Sequence, residues 1–229
     1  MDYARILSLL GTYAGLLDAP CSGPPKERLA LPGPDFVERT WVDSDRSPAV
    51  LCGLQRMFDQ GRLGGTGYLS VLDARGEPDV DLAIEGGCSA VILTLDGLRA
   101  SARRYAHRIP LIVVTDAPAE VRDLGAVGVI GGAGLGLVSI GGELAIDTTP
   151  PDSIDATRAR VAASGRVGLL RACDAEDLAT QVRTAVIHKR AGGMGHVIGP
   201  AALALPREPG VALLHTIQDV YRCGAVVLA

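Results

Sequence analysis

The apolar stretches TGYLSVLD at 66–73, CSAVILTLD at 88–96 and IPLIVVTD at 109–116 decide the fold of this chain. Each is a short, nearly continuous run rich in Val, Ile and Leu, the pattern of a strand covered on both faces. A fourth run, GAVGVIGG, follows at 125–132. Helical stretches separate these runs, and the strands begin about 16 to 21 residues apart, which is a β/α rhythm. The rhythm predicts a parallel sheet with right-handed crossovers.

The chain after residue 134 is less regular. The stretch LGLVSIGGELAID, 135–147, has Gly-Gly between two apolar runs and predicts a hairpin rather than a β/α unit. RVGLLRA at 166–172 and GHVIG at 195–199 predict two more strands, each followed by a helical pattern. We therefore expect an α/β fold with six parallel strands and a hairpin that adds up to two more.

Composition limits the class of ligand. The 229 residues are 48% hydrophobic and 21% charged, with a net charge of −4 and no long basic run, so nucleic acid is not an expected partner. An anionic small molecule would need a local cluster of arginines. Lys26 and Lys189 are the only lysines.

Cysteine usage and hydropathy predict a cytoplasmic protein without a membrane span. The five cysteines are odd in number and far apart, with no C-x-x-C pair, which argues against a disulfide framework and a Cys-type zinc site. No stretch has the length and apolarity of a signal peptide or of a transmembrane helix.

Neither a cofactor nor a metal site is predicted. The glycines of VGVIGGAGLGLV, 127–138, do not have the G-x-G-x-x-G spacing of a dinucleotide fingerprint, and an apolar strand-like run follows them. No G-x-S-x-G motif occurs, and the four histidines never fall in H-x-H or H-E-x-x-H spacing.

Acidic residues follow three predicted strands at the same place: Asp73, Asp96 and Asp116. Functional groups of α/β proteins gather at the C-terminal ends of parallel strands, so the three carboxylates could face one site. The alternative is that each only caps the helix that follows it.

Several stretches, taken in order, resemble class I fructose-bisphosphate aldolase of the bacterial and archaeal type. They are LALPGPDFVERTWVDSDRSPAVL, GRLGGTGYLSVL, DLAIEGGCSAV and RRYAHRIP in the first half, and VRTAVIHKRAGGMG, IGPAAL and GVALLHTIQDVY near the end. The resemblance covers residues 29–115 and 180–223. It implies a (β/α) TIM-barrel-like fold, truncated or distorted, formed by residues 66–229, with a helical extension at 1–65 packed on the barrel.

The catalytic lysine of that family does not carry over. Such aldolases condense a buried lysine on a barrel strand with a ketone to form a Schiff base. Here no predicted strand carries a lysine, and the region that should supply it is condensed into residues 131–165. Asp73 and Glu77 in the turn DARGE match acidic positions of the family.

The phosphate site of the family is also altered. LLRACDAED replaces its glycine-rich loop after the seventh strand, with Arg171 as a substitute cation, and Gly199-Pro200 replaces its Gly-Arg after the eighth. Proline has neither an N–H nor a charge. His196 brings a group that titrates near neutral pH. The glycines at 193, 195 and 199 are the expected backbone contacts to a ligand.

Three functions remain open, and a homo-oligomer is a separate expectation. In the first, a small-molecule substrate undergoes acid/base chemistry without a Schiff base, with Asp73, Asp116 and His196 as catalytic groups. Its predicted substrate-binding residues are Glu77, Asp96, Arg171, Gly193, Gly195 and Gly199. In the second, the chain is a non-catalytic binding or assembly partner. A third possibility is true aldolase activity with a lysine from a neighbouring subunit or Lys189.

Overall fold

A computed structural model describes most of the chain. The described residues are 3–115, 126–134, 137–140, 142–149, 153–173, 175 and 177–229. The helices within them are α1 (Tyr3–Leu10), α2 (Phe36–Trp41), α3 (Pro48–Asp59), α4 (Val80–Glu85), α5 (Leu95–Tyr105), α6 (Ile154–Ala163), α7 (Leu178–Arg190), α8 (Pro200–Leu203) and α9 (Arg207–Arg222), with 3-10 helices at Gly11–Leu17 and Lys26–Arg28. The strands are β1 (Leu69–Asp73), β2 (Ala90–Thr94), β3 (Leu111–Val114), β4 (Ala126–Gly134), β5 (Leu137–Ile140), β6 (Leu144–Asp147), β7 (Gly168–Ala172) and β8 (Gly195–Ile198).

The eight strands form a closed barrel in sequence order, because β8 pairs with β1. Six of the eight pairings are parallel; β5 runs antiparallel to both β4 and β6. The predicted α/β, TIM-barrel-like but distorted fold is confirmed. The hairpin predicted at 135–147 is β5 with β6, and it supplies the two strands that the parallel rhythm lacks.

The direction of β5 follows from its short connections. Only residues 135–136 separate β4 from β5, and only 141–143 separate β5 from β6. A parallel connection needs a dozen or more residues, usually with a helix, whereas an antiparallel one needs about two. The chain therefore closes the barrel here with a meander in place of β/α units.

Alternating side chains divide the strands into an interior and an exterior face. One cluster contains apolar side chains from seven strands and fills the barrel: Leu69, Val71, Ala90, Ile92, Ile112, Ile130, Leu144, Ile146, Leu170 and Val197. Helices α2 and α3 add Phe36, Met57 and Phe58 to it, and Gly53 of α3 lies against Val127 at the start of β4. These helices thus cover the end of the barrel at which the parallel strands begin, called here the N-terminal end.

The exterior face packs against the helical layer. Leu72, Val91, Leu93, Leu111 and Val113 point outward into a second cluster. The helical side chains of that cluster include Leu98 of α5 and Leu214 and Ile217 of α9. Apolar residues on both faces explain why these strands read as continuous apolar runs.

Local signals fix several helix ends. Ser47 caps α3, its hydroxyl accepting from the Val50 amide at 3.4 Å, as the Ser-Pro start predicts. Within the helical extension predicted at 1–65, Gly11 has a φ of +52° and ends α1 before a 3-10 turn. The helical stretch expected between the third and fourth apolar runs lies outside the described residues. The division at residue 65 stays a prediction. No helix in the described part of the chain combines the length and apolarity needed to cross a membrane.

Closure between β8 and β1 requires glycine at position 195. Gly195 has a φ of +149°, and a Cβ there would collide with the carbonyl oxygen of Leu69 on β1. We expect Gly195→Ala to lower the free energy of unfolding by about 3 kcal/mol, from backbone strain and overpacking together. Gly15→Ala is the matched control, since a Cβ at Gly15 meets nothing within 4 Å. Urea denaturation of both variants measures this; equal stabilities would contradict the tight β1–β8 contact.

Candidate functional site

A cavity of about 620 Å³ opens at the end of the barrel where β1 and β8 terminate, called here the C-terminal rim. This is the end at which barrel enzymes carry their catalytic groups, and the volume suits a small metabolite. The described residues that line it come from the turn after β1 and from α8 and its C-terminal end: Asp73, Arg75, Gly76, Glu77, Pro200, Leu203 and Ala204.

Asp73 is held at the rim by Arg75. It ends β1 on the interior side, two residues beyond Val71, and its side chain is 15% exposed. Arg75 donates from Nε to Oδ1 at 2.8 Å and from its terminal nitrogen to Oδ2 at 2.5 Å, while its backbone N–H donates to Oδ1 at 3.2 Å. This bidentate pairing fixes the orientation of the carboxylate on the cavity wall.

Glu77 and Gly199, both predicted to bind substrate, also lie at the C-terminal rim. Glu77 is exposed and lines the cavity. Gly199 follows β8 directly and precedes Pro200, the first residue of α8. Pro200 offers no N–H, and α8 is only four residues long, so this end of β8 supplies a wall rather than a set of amide donors.

Sequence reasoning missed Arg75, which contributes the only positive charge among the described lining residues. Asp73 and Glu77 carry two negative charges against it. The described lining is therefore negative overall, which does not favour a phosphate group at this rim. The signal for Arg75 was its place in DARGE, two residues after the strand-end acid, where a short turn lets the side chain fold back.

The other two strand-end acids do not join Asp73. Asp96 lies in the first turn of α5 with its side chain 94% exposed, and it pairs with Arg99 at 3.3 Å. Thr94, rather than the acid, caps that helix through the Gly97 amide. The substrate-binding role predicted for Asp96 is therefore not supported by its position. Asp116 lies outside the described residues.

The glycines predicted to bind a ligand before β8 are at the wrong end of the barrel. Gly193 precedes β8 and Gly195 begins it, so both lie at the N-terminal end. A Cβ at Gly193 would collide with the ring of His188. The prediction was wrong because both glycines serve close packing, not ligand contact.

His196 faces the helices and not the barrel interior. It is fully buried on β8 beside Ser70 of β1, and its Nε2 lies 3.0 Å from the Ser70 hydroxyl. Gln218 of α9 donates to the same hydroxyl at 3.0 Å, and the ring of Tyr221 stacks on His196 at 5.2 Å. The catalytic role predicted for His196 is wrong, because strand alternation puts the neighbouring Val197 in the interior instead.

Arg171 is likewise unable to bind substrate at the rim. It lies on the exterior face of β7, 2% exposed, and donates to Asp147 of β6 at 2.9 Å. Arg160 of α6 donates to the same carboxylate at 2.8 Å. Burial opposes ionisation of Asp147, but the Thr149 amide and the two arginines outweigh it and lower the pKa of the carboxyl. Arg171, the predicted substitute cation, is therefore paired with Asp147 between the sheet and the helices.

Neither lysine lies on a barrel strand. Lys26 is exposed in a 3-10 helix. Lys189 lies near the end of α7, where burial lowers its pKa to about 8, and its Nζ donates to the carbonyls of Val220, Tyr221 and Cys223 at 2.8 to 3.1 Å. Lys189 therefore caps the C-terminal end of α9, a cation at the negative end of the helix dipole.

No metal site is apparent in the ranges described above. Within them, no three His, Cys, Asp or Glu side chains come together as metal ligands would.

Two buried histidines make stability depend on pH. Burial, with a smaller contribution from Arg171, lowers the pKa of His188 from 6.5 to about 3; burial and then His188 do the same to His196. Between pH 6.5 and pH 3 the unfolded chain binds protons that the folded chain excludes, so the free energy of unfolding falls as the pH falls through this window. Each histidine contributes a slope of about 1.4 kcal/mol per pH unit.

We therefore expect His196→Gln to reduce that slope by about 1.4 kcal/mol per pH unit, measured by urea denaturation between pH 6 and pH 4. His107→Gln is the control, because His107 is exposed and its ring stays in solvent. An unchanged slope in His196→Gln would mean that His196 is protonated in the folded state.

Curated relatives align with most of the chain. A probable class 1 fructose-bisphosphate aldolase of Chlamydia trachomatis is 31% identical, over 86% of this chain and 91% of the relative. The Chlamydia muridarum protein of the same name is also 31% identical, over 94% of this chain and 97% of its own. The first alignment is 317 positions long against 229 residues here, so it contains long gaps in this chain.

No protein-family model matches the chain. Identity above 30% over nearly the full length of these relatives, together with the closed barrel, confirms the resemblance. The chain belongs to the class I fructose-bisphosphate aldolase family.

Proposed function

We propose that the C-terminal rim performs acid/base chemistry on a small carbonyl compound without a Schiff base. The observation that carries the proposal is the Asp73 carboxylate, oriented by Arg75 on the wall of a 620 Å³ cavity, in a barrel whose strands hold no lysine. A carboxylate beside a guanidinium is the minimal pair for moving a proton next to a carbonyl group.

The proposed step is enolisation. The Asp73 carboxylate takes a proton from the carbon next to the carbonyl, and the electron pair of the broken C–H bond forms the enolate double bond. The carbonyl oxygen gains the negative charge, which the guanidinium of Arg75 stabilises. Return of the proton from Asp73 to carbon or oxygen completes the cycle and leaves both residues unchanged.

The charge of the rim limits the substrate. Because the described lining has an excess of one negative charge, we expect an aldehyde or ketone without a phosphate group to fit best.

The relatives are named probable fructose-bisphosphate aldolases. The Schiff-base route to that reaction needs a lysine on a barrel strand, and no strand of this chain carries one. The cytoplasmic location and the homo-oligomer stay predictions from sequence.

Exchange of α-protons for solvent deuterium tests the proposal. We expect the protein to catalyse this exchange in at least one of dihydroxyacetone, glyceraldehyde and dihydroxyacetone phosphate, followed by proton NMR. Asp73→Asn should slow it by about 100-fold or more, because the amide is not a base. Asp96→Asn is the matched control and should exchange at the unsubstituted rate, since Asp96 is exposed on α5.

Two results would contradict the proposal that Asp73 is a catalytic base at the C-terminal rim. Equal rates in Asp73→Asn and the unsubstituted protein would remove Asp73 from the chemistry. Absence of exchange in all three compounds would instead favour the non-catalytic binding or assembly role. The absence of a lysine on any barrel strand is the observation that supports that role.

A further inference from the structure

We propose a phosphoryl-binding site at the N-terminal end of the barrel, remote in sequence from the residues of the C-terminal rim and independent of the reaction proposed there. A groove of about 440 Å³ lies between the segment before α2, helix α2 itself and the turn that precedes β7. Its lining residues are Glu27, Arg28, Leu29, Ala30, Leu31, Arg39, Thr40, Gly165 and Arg166. The volume suits inorganic phosphate or a small phosphorylated metabolite.

The charge of the groove is opposite to that of the rim. Arg28, Arg39 and Arg166 line it against the single carboxylate of Glu27, an excess of two positive charges in a chain whose net charge is −4. A local arginine cluster is what an anionic ligand requires in an acidic protein. Guanidinium groups are also the side chains best matched to phosphate oxygens, because they donate in pairs.

Two of the three arginines are already restrained. Arg39 donates to the carbonyl oxygen of Leu31 at 2.7 Å, and Arg166 donates to the carbonyl oxygen of Thr40. Each bond uses one of five N–H donors of a guanidinium. Asp35, at 4.0 Å from Arg39, is 57% exposed and competes weakly across solvent. Binding therefore loses less side-chain entropy than it would with mobile arginines.

The fluorescence of Trp41 can report on binding in the groove. The guanidinium of Arg166 lies over the ring of Trp41 with its central carbon 5.1 Å from the ring centroid, and Trp41 is the only tryptophan of the chain. Its side chain is nearly buried within the N-terminal end. An anion bound to the Arg166 guanidinium changes the electrostatic field at the Trp41 ring and hence the emission of Trp41.

The probes are inorganic phosphate and glycerol 3-phosphate, titrated at constant ionic strength against sodium chloride, with Trp41 emission and calorimetry as readouts. We expect saturable binding of at least one probe. Tighter binding of glycerol 3-phosphate identifies a metabolite as the natural source, and equal binding identifies the free anion.

Charge variants locate the site. Arg28 and Glu27 are both exposed, so neither substitution threatens the fold. Arg28→Gln should weaken binding by about fivefold or more, and Glu27→Gln should strengthen it. Arg75→Gln at the C-terminal rim should leave it unchanged. Thermal unfolding of each variant checks that the barrel is intact.

The proposal is overturned if calorimetry detects no binding of either probe. It is equally overturned if Arg75→Gln abolishes binding while Arg28→Gln does not, which would move the anion to the C-terminal rim. Loss of α-proton exchange at the rim has no bearing on these titrations, so the two proposals fail separately.

Discussion

Closure of an eight-stranded barrel with a short chain between β4 and β6 is the constraint on which the rest of the structure depends. Every strand of a closed barrel must pair on both sides. Only two residues, 135–136, separate β4 from β5 and only three, 141–143, separate β5 from β6, so β5 runs antiparallel to both neighbours. The meander supplies the missing pairings without crossover helices. The barrel is complete in hydrogen bonds although the alignment with its relatives has long gaps in this chain.

The residues that close the barrel are not the residues proposed to act on ligands. The described interior is filled by apolar side chains, and two of the polar groups predicted to act in the site, Arg171 and His196, lie outside it. Arg171 neutralises Asp147, and His196 joins Ser70 and Gln218, all between the sheet and the helical layer. The two proposed sites differ in charge: the rim around Asp73 is negative and the groove around Arg28 is positive, at opposite ends of the barrel.

Sequence predicts the strands well because apolar runs and turn residues are local signals. The β/α rhythm, the hairpin and the place of Asp73 at the end of β1 follow from them. Direction of side chains is harder: GHVIG is apolar on both faces, so the pattern does not show that Val197, not His196, points inward. Gly193 and Gly195 look like ligand contacts because the close packing that requires them, against the His188 ring and the Leu69 carbonyl, appears only in the folded chain and not in the local sequence pattern.

We propose that this aldolase-family barrel acts without a covalent lysine intermediate. Reductive trapping tests it most directly: the protein is incubated with dihydroxyacetone phosphate and sodium borohydride, then examined by intact mass and peptide mapping, beside a class I aldolase that retains its barrel lysine. We expect no stoichiometric adduct on the peptides that contain Lys26 or Lys189. A stoichiometric adduct on Lys189 would contradict the account, since it would make a nucleophile of the residue that caps α9.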